Sequence, residues 1–381
     1  MRIALVIFRH QPQRGGAERY TADLATALVR RGHQVRVLTA VSDQPPHDYE
    51  VVTLDAAGLT RGRRYVRFLD ALDAHLRRQV YDVVHAMLPV RHCDIYHPHA
   101  GIEADTLASD HRRGGRLVAS FRWLGNRLNF KRRRFVAVER RLLSGPRPPV
   151  VLCLSHYVRQ ALSRHYALGE ERMVNLFNGV DLEQFDPSRG TEARRDIRTR
   201  YHIPQEATVA LMLAQDPVRK GLPQAIEALA RLDDKSVYLL AAGGFDPYGM
   251  ESLAQWHKVA DRVIFTGATR RPAEMYSAAD FLVLPTRHDP CSLVVLEALA
   301  MGLPVITSRR NGAAEAMVDG QHGYVLENHA DVAALSIAMR AMTHPQRRAE
   351  MSQACLALRP ALSQEQHVQR LLEIYQSVQG P

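Results

Sequence analysis

Short apolar runs alternate with helix-length amphipathic segments along most of the chain. Ile3–Phe8 is six successive apolar residues, the pattern of a strand buried on both faces. Gly15-Gly16 interrupts it, and Ala17–Arg31 then places Leu24, Ala25, Leu28 and Val29 on one helical face. Gly32 ends that helix, and Val35–Thr39 is the next strand, which completes one βαβ unit. Val51–Leu54, Val83–Ala86 and Val150–Ser155 read as further strands. The pattern then restarts. Thr208–Ala214 is a strand, Leu222–Leu232 a helix, and Val237–Ala242 a strand that stops at Gly243-Gly244. Val263–Thr266 and Phe281–Pro285 are strands, Leu293–Met301 a helix and Pro304–Ser308 a strand.

Repeated strand–helix alternation predicts parallel, doubly wound sheets with helices on both faces. Two such series divided near Asn178–Ser188 predict two Rossmann-like domains that face each other across a cleft. The expected boundaries are 1–180 and 181–363, with the amphipathic segment 364–381 packing back on the first domain. Asn178-Gly179 at the junction predicts a turn with positive φ and a hinge. Ligands of such sheets bind beyond the carboxyl ends of the strands.

The bulk numbers narrow the classes. A chain of 381 residues with 46% apolar content supports two real cores. Ile3–Phe8 is too short for a signal peptide or a membrane span, and no later run reaches spanning length. Cys93, Cys153, Cys291 and Cys355 are scattered and form no CxxC pair, which argues against a zinc site or disulfide scaffold and fits a reducing cytoplasm. The net charge of +10 is concentrated: twelve Lys/Arg and one acid, Glu139, lie between His111 and Arg147. Trp123, Phe121, Leu124, Phe130 and Phe135 are interleaved with Lys131, Arg132, Arg133 and Arg134. That mixture suits an anionic membrane surface or polyanionic acceptor, against the plainer reading of a solvated helical face. No nucleic-acid-binding motif accompanies it.

The densest chemistry lies in 288–308. Ser292 is placed to cap Leu293–Met301, whose free N–H groups attract phosphate or polar oxygens. Asp289 precedes that helix and Glu297 lies about a turn inside it, so both carboxylates are candidates to accept hydrogen bonds from ligand hydroxyls. A surface Asp and a helical Glu fit the spacing equally well. Arg219-Lys220-Gly221, just after a strand, suits a diphosphate, although RKG is also a common surface turn. Gly15-Gly16 resembles a phosphate-approach turn without the GxGxxG spacing of dinucleotide folds. His97 and His99 flank Pro98. With His85 and His92 they raise a metal site, but no HExxH pattern supports one, and a single cleft histidine handling a proton is the preferred reading.

In this combination and order the motifs Gly15-Gly16 with Glu18-Arg19, Asp94-Ile95-Tyr96, Asn178-Gly179-Val180-Asp181, Arg219-Lys220-Gly221 and Asp289-x7-Glu297 resemble those of the retaining family-4 glycosyltransferases, and within them the lipopolysaccharide core glucosyltransferase type. The resemblance covers essentially the whole length and implies the GT-B architecture. It implies a hexose moved from a nucleotide-diphosphate sugar, UDP-glucose being favoured, to a lipid-linked or cell-envelope glycan such as lipopolysaccharide core. It implies that Glu297 binds the ribose, that Asp289 contacts the transferred sugar and that amides at Cys291, Ser292 and Leu293 hold sugar and phosphate. It also places Arg219 and Lys220 on the diphosphate, Gly15 and Gly16 near it, Arg270 near the base and His99 near the reacting sugar. No metal and no cofactor beyond the donor substrate is expected, nor any nucleic acid. The expected location is the inner face of the cytoplasmic membrane, with Trp123 and Lys131–Arg134 on the membrane or acceptor. Three departures stand out: Asp289 where the family usually has Glu, Ala214 where many members have Arg, and Ala100 where close relatives often have an acid. A GT-B nucleotide-sugar epimerase, or an inactive basic relative that binds membranes or polyanions, is the alternative reading.

Overall fold

The computed structural model describes residues 1–13, 15–43, 48–111 and 130–379. The chain divides into two compact units, Met1–Phe177 with Val368–Pro381, and Asn178–His367.

In the first unit seven strands form one sheet. In chain order the strands are β1 (Arg2–Val6), β2 (Arg9–His10), β3 (Gln34–Thr39), β4 (Val41–Ser42), β5 (Glu50–Thr53), β6 (Val83–Ala86), β7 (Ile95–Tyr96), β8 (Val150–Cys153) and β9 (Met173–Asn175). The sheet order is β5-β3-β1-β6-β7-β8-β9, with β2 and β4 paired separately. Neighbours run parallel throughout, for example Leu5 beside Val37 on one side and His85 on the other. Ile3, Leu5 and Val6 are fully buried, which accounts for the unbroken apolar run in β1. The first helix, Gly16–Arg30, buries Tyr20, Thr21, Leu24, Ala25 and Leu28. The Val150–Ser155 run ends as a strand at Cys153, because Ser155 caps the helix His156–His165 by accepting from the Val158 amide at 3.2 Å.

In the second unit the strands are β10 (Thr208–Leu213), β11 (Val237–Ala242), β12 (Val263–Gly267), β13 (Phe281–Leu284), β14 (Val305–Ser308) and β15 (Gly323–Leu326). All run parallel in the order β12-β11-β10-β13-β14-β15. The winding direction reverses between β10 and β13, the switch point beyond whose carboxyl strand ends open parallel sheets place their ligand sites. The amino ends of the same two strands are tied by Asp280. Its amide donates to the Val209 carbonyl at 2.8 Å, and its carboxylate accepts from the Val209 amide at 2.7 Å. Arg198, fully buried, and Arg194 pair with that carboxylate at 2.8 and 2.7 Å.

Gly179 corrects the junction reading. It is not among the positive-φ residues. A side chain there would meet the Gln364 Cα at 2.5 Å and the His367 Cβ at 2.9 Å. Here the glycine allows two segments to touch: beside it the Val180 amide donates to the Leu362 carbonyl at 2.7 Å and the Gln364 amide donates to the Val180 carbonyl at 2.9 Å. The final helix, Gln364–Gln379, carries Tyr375, whose hydroxyl bonds the His85 Nδ1 at 2.6 Å within the first unit.

Candidate functional site

Lys220 and Asp289 follow β10 and β13, the two strands of the switch point in the second unit. Asp216 caps a one-turn helix, Pro217–Lys220, by accepting from the Arg219 amide. Gly221 follows at φ 91 in the left-handed region. A β-carbon on Gly221 would lie 2.5 Å from the Pro285 carbonyl and 2.7 Å from its ring, so glycine is needed for both the torsion and the approach. That approach presses the turn after β10 onto the turn after β13 and brings Lys220 to Asp289.

The two form a buried ion pair, Lys220 being 8% and Asp289 7% exposed. The ammonium also bonds the Ser292 hydroxyl at 3.3 Å. Arg219 Nη1 lies 3.8 Å from the same Asp289 oxygen and donates to the His288 carbonyl at 2.9 Å, while its Nε is 3.3 Å from Asp216. Burial alone raises the Asp289 carboxyl, but Lys220 and Arg219 outweigh it and hold the group below the usual carboxylate range. Burial draws the Lys220 ammonium below the ordinary lysine value, with Asp289 opposing.

Asn311, which the sequence reading did not single out, builds the wall beside this pair. It is almost fully buried, and its Oδ1 accepts from the amides of Ser292 at 3.2 Å and Ala313 at 3.1 Å. Its Nδ2 donates to Thr307 at 3.0 Å. The only signal for it was an Asn-Gly after an apolar strand, which reads equally as an ordinary turn. Two expectations are corrected here. The Ser292 amide is engaged by Asn311, so it is not open to a ligand. Ser292 occupies the position before the helix Leu293–Ala300, but its side chain makes no capping bond and faces Lys220 instead. Asn178 reaches the same turn through the Cys291 carbonyl at 3.4 Å. Burial pushes the Cys291 thiol up to about 12, so it stays protonated at neutral pH.

Glu297 is on that helix, 4% exposed, and accepts from the Tyr276 hydroxyl at 2.7 Å. Tyr276 is itself buried on the helix Pro272–Ala278. Arg270 precedes that helix and is exposed.

In the first unit Gly15 and Gly16 begin the helix Gly16–Arg30, with the Glu18 carboxylate folded back against Gly15. His97 is fully buried and His99 half-buried. Tyr20 lies against both rings, with centroids 5.2 Å from His97 and 4.3 Å from His99. His85 stacks on His97 at 5.3 Å. Among the described residues no group of three or more His, Cys, Asp or Glu side chains is arranged to hold a metal ion. Arg133 and Arg134 are exposed on the helix Phe130–Leu143. Trp123, and the side chains of Lys131 and Arg132, lie outside the described residues.

Residues 14–184 match the family model Glycosyltransferase Family 4, and residues 193–355 match Glycosyl transferases group 1. The chain is 26% identical to the lipopolysaccharide glucosyltransferase WaaG of Escherichia coli, covering 86% of this chain and 85% of that protein. It is 27% identical to a D-inositol 3-phosphate glycosyltransferase of Thermomonospora curvata, over 55% of this chain and 52% of the relative. Among solved structures, WaaG superposes with a TM-score of 0.87 at 22% identity over the full length of both chains. Anabaena HepE in complex with UDP-glucose superposes with a TM-score of 0.76 at 17% identity, over 99% of this chain and all of that one. The fold is GT-B, two Rossmann-like parallel-sheet domains.

Proposed function

The chain belongs to the glycosyltransferases, with a Family 4 domain followed by a group 1 domain, and from that premise we propose that it moves a hexose, with retention, from UDP-glucose to a lipid-linked envelope glycan such as lipopolysaccharide core. The observation that carries the reading is the Lys220–Asp289–Ser292 cluster, with Arg219 beside it, at the switch point of a parallel sheet. Two cations and a helix end gathered there suit the developing charge of a nucleoside diphosphate leaving group. The Glu297 carboxylate, held by Tyr276, is the ribose acceptor on this reading. Asp289 takes sugar hydroxyls, and the amides of Cys291 and Leu293 lie at the same turn. Arg270 is assigned to the base on this reading, and Gly15, Gly16 and His99 stay as the candidates of the first unit. The similarity to a lipopolysaccharide glucosyltransferase over 86% of the chain supports the acceptor class, and the UDP-glucose bound by the HepE relative supports the donor. Among the described residues no helix is long and apolar enough to cross a membrane. A peripheral site on the inner membrane face, reached through the basic segment, is part of the proposal, as is transfer without a metal.

The test is thermal stabilisation by a panel of nucleotides and nucleotide sugars, with Lys220→Ala and Glu297→Ala beside the wild type. A ligand that binds the folded form raises the midpoint by mass action. A shift with UDP or UDP-glucose that both variants lose supports the donor site, and no shift with any nucleotide sugar sinks it. Donor consumption only in the presence of acceptor supports transfer. Isomerised donor without acceptor would instead establish an epimerase.

A further inference from the structure

The cations expected to receive a diphosphate are already neutralised. Lys220 and Arg219 face Asp289 and Asp216, two positive charges against two negative ones. Lys220 and Asp289 are both buried, so neither tolerates being left alone: an unpaired buried charge is far costlier than a paired one. An incoming anion must therefore replace one carboxylate as it arrives. Asp289 cannot withdraw, because its backbone is pinned on both sides. Its amide donates to the Arg310 carbonyl at 2.9 Å, and its own carbonyl accepts from the Gly312 amide at 2.9 Å. Only its short side chain turns.

We propose that Asp289 is the resident counterion of Lys220, that a donor's diphosphate displaces it, and that the displaced carboxylate then binds the sugar hydroxyls, so the site prefers a sugar nucleotide to the bare nucleoside diphosphate. The proposal rests on the donor site described above and assigns it a way to tell substrate from product. A sugar nucleotide that takes Lys220 gives Asp289 new hydrogen-bond donors in return. A nucleoside diphosphate takes Lys220 and gives Asp289 none. After transfer the sugar has gone, Asp289 competes again for the ammonium, and release of the diphosphate is favoured. Ser292, already in contact with Lys220, keeps the ammonium in place during the exchange.

Calorimetric titration of the full chain with UDP, UDP-glucose and inorganic pyrophosphate tests this, using the wild type, Asp289→Asn, Asp289→Glu and Lys220→Met/Asp289→Asn. Asp289→Asn is expected to bind UDP and pyrophosphate about tenfold or more tightly, the lower range of coupling between buried charges. It should also lose the preference for UDP-glucose over UDP. Asp289→Glu keeps the charge and should keep the preference, and the double variant should lose the gain. Asp289→Ser, which leaves a neutral oxygen beside Lys220, serves the same comparison if the asparagine variant fails to fold. UDP bound no more tightly by the neutral variants overturns the exchange alone. A wild-type chain that binds none of the three probes overturns the donor site, and the exchange with it.

Discussion

At the scale of the residue, the site depends on what buried polar groups hold one another. Tyr276 gives its hydroxyl to Glu297 at 2.7 Å, with the Val294 carbonyl a second acceptor at 3.2 Å. Tyr276→Phe keeps the ring and removes the donor, leaving a buried carboxylate one hydrogen bond short. The expected result is about a tenfold rise in KM for the donor with kcat little changed, from a charged hydrogen bond of about 1.5–3 kcal/mol partly replaced by the ligand's own. Steady-state kinetics with varied donor measure it, and an unchanged KM would remove Tyr276 from the proposed ribose site. The Asp289 carboxyl makes a pH prediction. Its pKa is lowered below 3.8 on folding, so its contribution to stability is present above that value and is lost as pH falls through the lower folded value. The stability gap between wild type and Asp289→Asn, read by urea unfolding, should therefore be constant from pH 5 to 7 and shrink below about pH 4. Lys220, Asp289 and Glu297 were legible as candidates because cations and acids interrupt otherwise apolar turns. Their pairing was not: Lys220 and Asp289 are 69 positions apart, and only the close approach of Gly221 to Pro285 shows that one neutralises the other. Asn311 was missed because the bond that ties it to the site goes to the Ser292 amide, 19 positions back.

At the scale of the element, the long apolar runs were readable and the short ones were not. β1, β10, β11 and β13 announce themselves because strands buried on both faces must be apolar throughout. β7 has two residues and β9 three, too few for any period to register. The segment Pro217–Lys220 read as part of a loop, and its Asp216 cap, three residues before Arg219, was the overlooked sign of a helical turn. Gly179 shows the limit of turn chemistry. Asn-Gly signals positive φ, but here the constraint is the backbone of Gln364, far away in sequence. Gly221 carries the element-scale prediction. Gly221→Ala puts a β-carbon against the Pro285 carbonyl in a torsion that non-glycine residues avoid. It should lower stability by about 1–3 kcal/mol and pull Lys220 out of register with Asp289. Denaturant unfolding gives the first number, and loss of the UDP-induced thermal shift gives the second. Gly249→Ala, with open space around its β-carbon inside the helix Tyr248–Trp256, is the control and should stabilise by about 0.5–1 kcal/mol.

At the scale of the whole molecule, charge is the property that separates the two sequence halves of function. The twelve cations between His111 and Arg147 outnumber the single acid there, Glu139, and that acid is spoken for. Glu139 is fully buried and accepts from the hydroxyls of Tyr96 at 2.8 Å and Tyr166 at 2.9 Å, and from the amides of Glu103 and Ala104 at 3.0 and 3.1 Å. It therefore anchors the start of the helix Glu103–His111 and is not available to pair with the cations around it in the sequence. Arg133, Arg134 and Arg140 remain exposed on the helix Phe130–Leu143. Each Lys or Arg near an anionic membrane surface contributes about 1 kcal/mol, within a Debye length of about 8 Å at physiological salt. Replacing Lys131, Arg132 and Arg134 with Glu reverses three of these charges. Co-sedimentation with phosphatidylglycerol-containing vesicles should then fall by at least about a hundredfold at low salt, while thermal stabilisation by UDP stays as in the wild type. Raising the salt to about 0.5 M should weaken the wild type toward the level of the variant, because exposed charges are screened. Vesicle binding that survives both changes would assign the attachment to apolar side chains such as Trp123, and the charge argument would fall.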